Sequence, residues 1–156
     1  DLGKATTPAD VLPQHIGHET RSIKLVKALC ERLAIPNEYR ELSLMAAQYH
    51  THCHRAKELT PKKILETLEN LDAFRRPDRF ADFLLCCEAD AKGRTGFENR
   101  DYPQAKYFQQ ALSLCQEITA AQVDKEKYSG KAIGEQIRHL RLSALTTYKK
   151  ENKAQK

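Results

Sequence analysis

Apolar residues recur every three or four positions along most of this chain, and that spacing predicts helices. The first such stripe covers residues 18–33, and Pro36 then stops the helix. A second helix is predicted to begin after Asn37, a residue type that caps helix N-termini. A third begins at Thr60-Pro61, where threonine serves as the N-cap and proline as the first helical residue.

The second half of the chain continues the same pattern. The turn at Arg76-Pro77 precedes a helix that ends near Gly93, and further helices are predicted over residues 105–118 and 132–148. No run of residues alternates apolar and polar positions with β-branched side chains. The sequence therefore predicts an all-α fold of about six helices.

One long loop divides the sequence. Residues 92–103 contain two glycines and Pro103, a composition typical of a connecting segment. We therefore predict a first domain over residues 1–92 and a C-terminal helical region over residues 93–156. The last residues, 149–156, are polar and have nothing to bury, so we predict a frayed tail there.

The composition is that of a globular domain. The chain has 156 residues, 40% of them hydrophobic and 30% charged, which suffices for a core without disulfides or a structural metal. No stretch approaches the ~18 apolar residues of a membrane span and no leader pattern opens the chain, so we expect no membrane association. The five cysteines are irregularly spaced, which argues against disulfides and favours the cytoplasm. Because the first residue is Asp1 rather than Met, we expect a piece of a longer protein or a processed product.

The net charge of +5 is concentrated at one end of the chain. Residues 131–156 hold seven Lys and Arg against two Glu, whereas acidic and basic residues balance in residues 1–130. A basic end on a neutral body indicates either a polyanionic partner or a solvated tail.

Histidines supply the candidate chemistry. Five of the six lie in the first 54 residues, and His50 and His54 are four apart, so they share a helix face. That spacing suits two imidazoles on one metal ion, as in metal-assisted phosphate hydrolysis. The alternative is a chance cluster at a polar helix end, and we expect His15 and His52 to be surface or capping residues.

Several blocks in order along nearly the whole chain resemble one protein family. They are DLGK at 1–4, PQHIGHE at 13–19, PNE at 36–38, DAFRRP at 72–77, EADAKGRTGFE at 88–98, DYPQ at 101–104 and GKAIG at 130–134. The set resembles the HD phosphohydrolase domain of bacterial tRNA nucleotidyltransferases, the CCA-adding enzymes of the multifunctional type. The resemblance implies an HD-type helical bundle followed by a C-terminal helical tRNA-binding extension.

The resemblance also implies part of a metal site. HD domains bind metal through an upstream His, a His-Asp pair and a later Asp, often with histidines between. Asp1 matches the Asp of the pair, and His18 and His50 match the intervening, catalytic histidines. Asp90 matches the late metal-binding Asp, with Asp72 as a rival. The implied ion is divalent, Ni, Mn, Co or Mg; because the two upstream histidines are absent, we expect no activity from this chain alone.

The implied activities are those of the parent enzyme. Its HD site is associated with 2′,3′-cyclic phosphodiesterase, 2′-nucleotidase and phosphatase activities on tRNA ends. Nucleotide addition, with Mg and ATP or CTP, would belong to an N-terminal nucleotidyltransferase domain that these residues do not contain. The implied partners are that domain and tRNA.

Basic residues near the C-terminus are the candidates for tRNA contact. They are Lys131, Arg138, Arg141, Lys149 and Lys150, with few acids nearby. Lys131 also stands at a predicted helix start, where backbone N–H groups can hold a phosphate. By contrast, Arg75, Arg76 and Arg79 interleave with acids, so we expect a solvated, paired face there.

Two alternatives from other classes remain at this point. The first alternative is a non-catalytic helical RNA-binding or interaction module that uses the HD fold structurally. The second is a free-standing HD hydrolase of small nucleotides. The basic C-terminal end and the family-specific blocks disfavour the free-standing hydrolase.

Overall fold

The computed structural model describes residues 1–154 and confirms the all-α prediction. Within that range it contains six α-helices and no strand. They are α1 (His18–Arg32), α2 (Asn37–His54), α3 (Pro61–Asn70), α4 (Pro77–Lys92), α5 (Pro103–Gln116) and α6 (Lys131–Ala154), with short 3₁₀ helices at Leu2–Thr6 and Ala120–Gln122. No helix of the described part is long and apolar enough to cross a bilayer.

Local chemistry explains where the helices begin. The side chain of Thr60 accepts a hydrogen bond from the Lys63 N–H, and Pro61 opens α3, as the sequence predicts. Proline also opens α4 and α5. Proline lacks the N–H that would go unpaired in a first turn, so its position at a helix start costs nothing.

The chain forms two compact units that differ from the predicted boundary. The first contains Asp1–His54 and Ala81–Arg100; the second contains Arg55–Phe80 and the chain from Asp101 onward. The division at residue 92 is therefore not where the contacts divide. The hydrophobic pattern marks where each helix ends, but it does not say which helices pack together.

In the first unit, the N-terminal segment packs closely on α1. The Gly3 N–H donates to the buried Ser22 hydroxyl at 2.8 Å, and the Arg21 guanidinium donates to the Gly3 carbonyl at 3.1 Å. A Cβ at Gly3 would lie 2.1 Å from the His18 carbonyl oxygen. Only glycine fits at this distance. The core of the unit includes Cys53 and, from α4, Phe83.

In the second unit, α3, α5 and α6 share a core. Fully buried side chains come from all three helices: Ile64, Leu65, Leu68, Phe108, Ala111, Leu112, Cys115 and Leu145. The rings of Phe80 and Phe108 lie 6.3 Å apart between centroids. Burial of this apolar surface supplies the main stabilisation of the unit, at roughly 25 cal/mol per Å².

Polar contacts tie α6 to its neighbours. The Arg141 guanidinium donates to the carbonyls of Cys115 at 2.9 Å and Ile118 at 3.3 Å, and it lies 4.1 Å from the centroid of the Phe74 ring. The hydroxyl of Tyr148 donates to the Tyr107 carbonyl at 3.2 Å. These contacts stabilise the packing of α6 from its middle toward its C-terminal end.

The predicted frayed tail differs from the structure. Helix α6 continues through Ala154, and the Lys149 ammonium donates to the carbonyls of Glu58 and Leu59. Gln155 and Lys156, also assigned to that tail, lie outside the described residues. The polar composition of the segment did not reveal that Lys149 has carbonyl partners elsewhere in the unit.

We expect Gly3→Ala to destabilise the protein by more than about 2 kcal/mol, because the new methyl group overlaps the backbone of α1. Gly134→Ala is the matched control: nothing lies within 4 Å of its Cβ position, and alanine should stabilise helix α6 by roughly 0.5–1 kcal/mol. Guanidinium denaturation measures both. Equal effects of the two substitutions would contradict the close approach at Gly3.

We expect Arg141→Lys to lower the free energy of unfolding by about 1–3 kcal/mol, since lysine cannot donate to two carbonyls and stack on Phe74 together. Arg138→Lys on the same helix changes only an exposed pair with Glu69 and should cost less than about 1 kcal/mol. Thermal unfolding compares the two. A larger loss for Arg138→Lys would contradict the structural role of Arg141.

Candidate functional site

Three polar side chains converge where the N-terminal segment meets α1 and α2. The Nε2 atoms of His18 and His50 lie 3.1 Å apart, and each lies 3.3 Å from Oδ1 of Asp1. Both histidines are buried, at 8% and 6% exposed, whereas Asp1 is exposed. Gly17, in the left-handed conformation at φ 74°, ends the loop that leads into His18.

Backbone carbonyls orient the two imidazoles. Nδ1 of His18 lies 2.9 Å from the His15 carbonyl oxygen, and Nδ1 of His50 lies 2.8 Å from that of Ala46. Because a carbonyl oxygen only accepts, each Nδ1 carries the hydrogen, and each neutral ring then has its lone pair on Nε2. Two lone pairs and a carboxylate oxygen therefore face one another, and only a cation or a proton makes that arrangement favourable.

A second group shares His50. Nε2 of His54 lies 2.8 Å from Oδ2 of Asp90, and ligand atoms of His50, His54 and Asp90 all lie within 4.8 Å of one another. The spacing of the two histidines on α2 had indicated this shared face. Asp90 comes from α4, so the structure brings a residue of the distant segment to the same cluster.

Charge and burial favour ligand-competent protonation states. Burial lowers the pKa of His54, although its hydrogen bond to Asp90 acts in the opposite direction. Burial raises the pKa of Asp90, but the hydrogen bond from His54 and the nearby charges of His54, His50 and Arg94 outweigh it and lower the pKa overall. A neutral imidazole and an ionised carboxylate are the forms that bind metal ions.

Neighbouring polar groups support the cluster. The Thr51 hydroxyl donates to Oε1 of Glu19 at 2.7 Å, and Oε2 of Glu19 lies 3.5 Å from Nδ1 of His18. Burial raises the pKa of Glu19, but hydrogen bonds from its own backbone N–H and from Thr51 lower it overall. Lys4 contacts Oδ2 of Asp1. An ionised Glu19 favours the Nδ1–H tautomer of His18 electrostatically.

The donor set fits a divalent transition metal. Imidazole nitrogens and carboxylate oxygens bind such ions at about 2.0–2.2 Å, so neighbouring ligand atoms lie about 3.0–3.4 Å apart. The three separations among Asp1, His18 and His50 are 3.1, 3.3 and 3.3 Å. The carbonyl-bound Nδ1 atoms are the outer contacts typical of metal-binding histidines.

An open cavity of about 280 Å³ adjoins this cluster. Asp1, His50 and Asp90 contribute polar atoms to it. The rest of its lining is mainly apolar: Val26, Tyr39, Leu42, Ser43, Ala46, Ala47 and Cys86. Ligand sites commonly combine an apolar wall with a few convergent polar groups, and this cavity is near the small end of their range.

The predicted site residues lie close together in the structure, with one addition and one exclusion. The structure brings Asp1, His18, His50 and Asp90 into the two groups just described. His54, recognised by spacing but not chosen as a site residue, joins them, whereas the rival Asp72 does not. Asp72 instead accepts two hydrogen bonds of 2.7 Å from Arg75, and that contact lowers the pKa of Asp72.

The predicted RNA-binding residues differ in whether their charged groups already contact other groups of the protein. Arg138 forms a two-point ion pair with Glu69, at 2.9 and 3.2 Å. Arg141 is occupied by carbonyls and an aromatic ring, and Lys149 by two carbonyls. Lys131 and Lys150 are exposed. A positive charge in the sequence does not distinguish these cases.

Searches against known proteins locate the chain among its relatives. It is 56% identical to the "Multifunctional CCA protein" of Thioalkalivibrio sulfidiphilus over 97% of this chain and 37% of that protein. The proteins of the same name from Hahella chejuensis and Pseudomonas fluorescens are 49% and 48% identical, over 97% of this chain and 36% and 37% of theirs. No protein-family profile and no solved structure matches.

The similarity extends over almost all of this chain but over little more than a third of each relative. The resemblance inferred from the sequence blocks is therefore confirmed: this chain matches one segment of the multifunctional CCA proteins, the family of bacterial CCA-adding enzymes.

Proposed function

We propose that this chain is the C-terminal portion of a CCA-adding tRNA nucleotidyltransferase and that it contributes tRNA binding and part of a metal-dependent phosphohydrolase site. The substrates are phosphate groups at tRNA ends, handled by 2′,3′-cyclic phosphodiesterase, 2′-nucleotidase and phosphatase activities. One observation carries the proposal: three acceptor atoms of Asp1, His18 and His50 face one another at 3.1–3.3 Å. A bound cation would satisfy all three of these acceptor atoms at once.

The residues of such a site have two roles: some bind the ion, and others orient the residues that bind it. Asp1, His18 and His50, together with His54 and Asp90, hold a divalent ion such as Ni, Mn, Co or Mg. When bound, the ion supplies an activated water and neutralises charge on phosphoryl oxygens. The backbone carbonyls of His15 and Ala46 keep the Nε2 atoms of His18 and His50 directed at it.

The cavity beside the cluster is suited to a terminal nucleotide. Its apolar wall, with Leu42 and Ala46, excludes water from one side of the phosphate. Tyr39, 58% exposed, offers an aromatic face on which a base can stack. Arg94 lies 3.9 Å from Asp90, and it adds positive charge that attracts a phosphate group.

The remaining functions belong to the whole protein. Nucleotide addition, with Mg and ATP or CTP, lies in an N-terminal nucleotidyltransferase domain, and the C-terminal helical region binds tRNA. Exposed Lys131 and Lys150 are the predicted contacts that the fold leaves available. We place the protein in the cytoplasm, in keeping with five cysteines that form no disulfide.

We expect His50→Gln to remove Ni²⁺ or Mn²⁺ binding, because both groups of candidate ligands contain His50. His52→Gln, on the same helix but outside both groups, should leave binding unchanged. Isothermal titration calorimetry of the two variants measures this. Equal binding by both variants would show that the metal binds elsewhere, whereas no binding even by the unmodified chain would favour the alternative in which the HD fold serves RNA binding without a metal.

In the complete protein, we expect His50→Asn to lower hydrolysis of a 2′,3′-cyclic phosphate by at least about 100-fold, since loss of a ligand is at least as severe as loss of an outer contact. Nucleotide addition should remain largely intact, because that chemistry lies in another domain. Parallel assays of both activities, with circular dichroism as a control for folding, compare them. A parallel fall in both activities would instead indicate that His50 supports the fold.

A further inference from the structure

A second cavity, away from the histidine cluster, is strongly basic. It has a volume of about 110 Å³ and is lined by Lys57, Tyr107, Lys149, Asn152 and Lys153, all within the second compact unit. Three of the five lining residues are lysines and none is acidic. Like charges gathered in one small cavity repel one another unless an anion joins them.

The lysines are not neutralised by the protein. Among the described residues, Lys57, Lys149 and Lys153 form no ion pair with a carboxylate. The pKa of Lys149 is lowered, first by burial and then by the charge of Lys153. Lys149 donates to two carbonyls, so one of its three N–H groups remains available for a ligand.

A buried hydroxyl borders the same cavity. Tyr107 is only 3% exposed, and its hydroxyl group has no hydrogen-bond partner. Native proteins rarely leave such a group unsatisfied, so its presence at the wall indicates a missing acceptor. The neighbouring Tyr148, by contrast, donates its hydroxyl to the Tyr107 carbonyl and to Gln110.

From these observations we propose that this cavity binds a phosphate oxyanion, held by Lys57, Lys149 and Lys153 with the Tyr107 hydroxyl as a neutral donor. A phosphate oxygen accepts several hydrogen bonds and carries the negative charge that the lysines lack. The oxyanion comes either from an RNA backbone or from a free phosphate. With RNA as the source, the cavity adds a contact to the proposed tRNA-binding region, and in that case it rests on the proposed function.

The experiment compares two charge-matched double variants of the 156-residue chain. Lys57→Gln/Lys153→Gln changes the cavity, and Lys62→Gln/Lys125→Gln changes exposed lysines elsewhere in the same unit. Fluorescence anisotropy measures affinity for a short RNA duplex over a salt series. Amide NMR shifts near residues 57, 107 and 149–153 follow titration with inorganic phosphate at constant ionic strength.

The two sources of the oxyanion give different results. If the ligand is an RNA phosphate, the cavity variant should lose about fivefold more RNA affinity at low salt than the control variant. Its log–log salt slope should also fall by roughly 0.7–0.9 for each lost contact. If the ligand is a free anion, inorganic phosphate should shift the cavity amides while both variants bind RNA equally. Equal RNA affinity in the two variants with no phosphate-dependent shifts would overturn the proposal.

Tyr107→Phe tests the hydroxyl separately. Because this hydroxyl has no protein partner, its removal should leave the melting temperature unchanged or raised while weakening phosphate or RNA binding severalfold. Tyr148→Phe is the control and should lower stability instead. Unchanged ligand affinity in Tyr107→Phe would overturn the assignment of the hydroxyl as a donor. Neither outcome bears on metal binding by the histidine cluster, which the His50 variants test independently.

Discussion

The contact between Gly3 and helix α1 is the constraint on which the candidate metal site depends. Ser22 accepts the Gly3 N–H at 2.8 Å, and there is no room for a Cβ between the segment and the helix. Because Gly3 is held against α1, Asp1, two residues earlier in the chain, lies beside the histidines of α1 and α2. A carboxylate on a mobile segment would lose conformational entropy on binding an ion, whereas this one is already positioned.

Arginines and lysines have different roles in the basic C-terminal part of the chain. In the second unit, Arg138 and Arg141 of α6 stabilise the packing of that helix on its neighbours. Lysines, with flexible stems and point charges, form the basic cavity. The same helix thus uses guanidinium groups for internal contacts and ammonium groups for a candidate anion site, which follows from the planar, multi-donor geometry of arginine.

Much of the fold could be predicted from the sequence because helix signals are local. Thr60-Pro61 and the proline after Arg76 marked the starts of α3 and α4. The composition of the two units could not be predicted, since the chain leaves the first unit at Arg55 and returns to it at Ala81. In the site, the four-residue spacing of His50 and His54 indicated that they share a helix face. The choice between Asp72 and Asp90 could be made only from the packing of α4, which the sequence did not reveal. The charge pattern of the sequence did not indicate that Arg141 contacts an aromatic ring and two carbonyl oxygens.

The position of His50 in both ligand groups has a consequence for stoichiometry. Its Nδ1 is held by the Ala46 carbonyl, so the ring has one lone pair to give, and one lone pair forms one coordinate bond. Asp1 with His18 on one side, and His54 with Asp90 on the other, therefore compete for the same nitrogen or share a single ion through it. If the proposed metal site exists, His50 can therefore complete only one of the two ligand groups at a time.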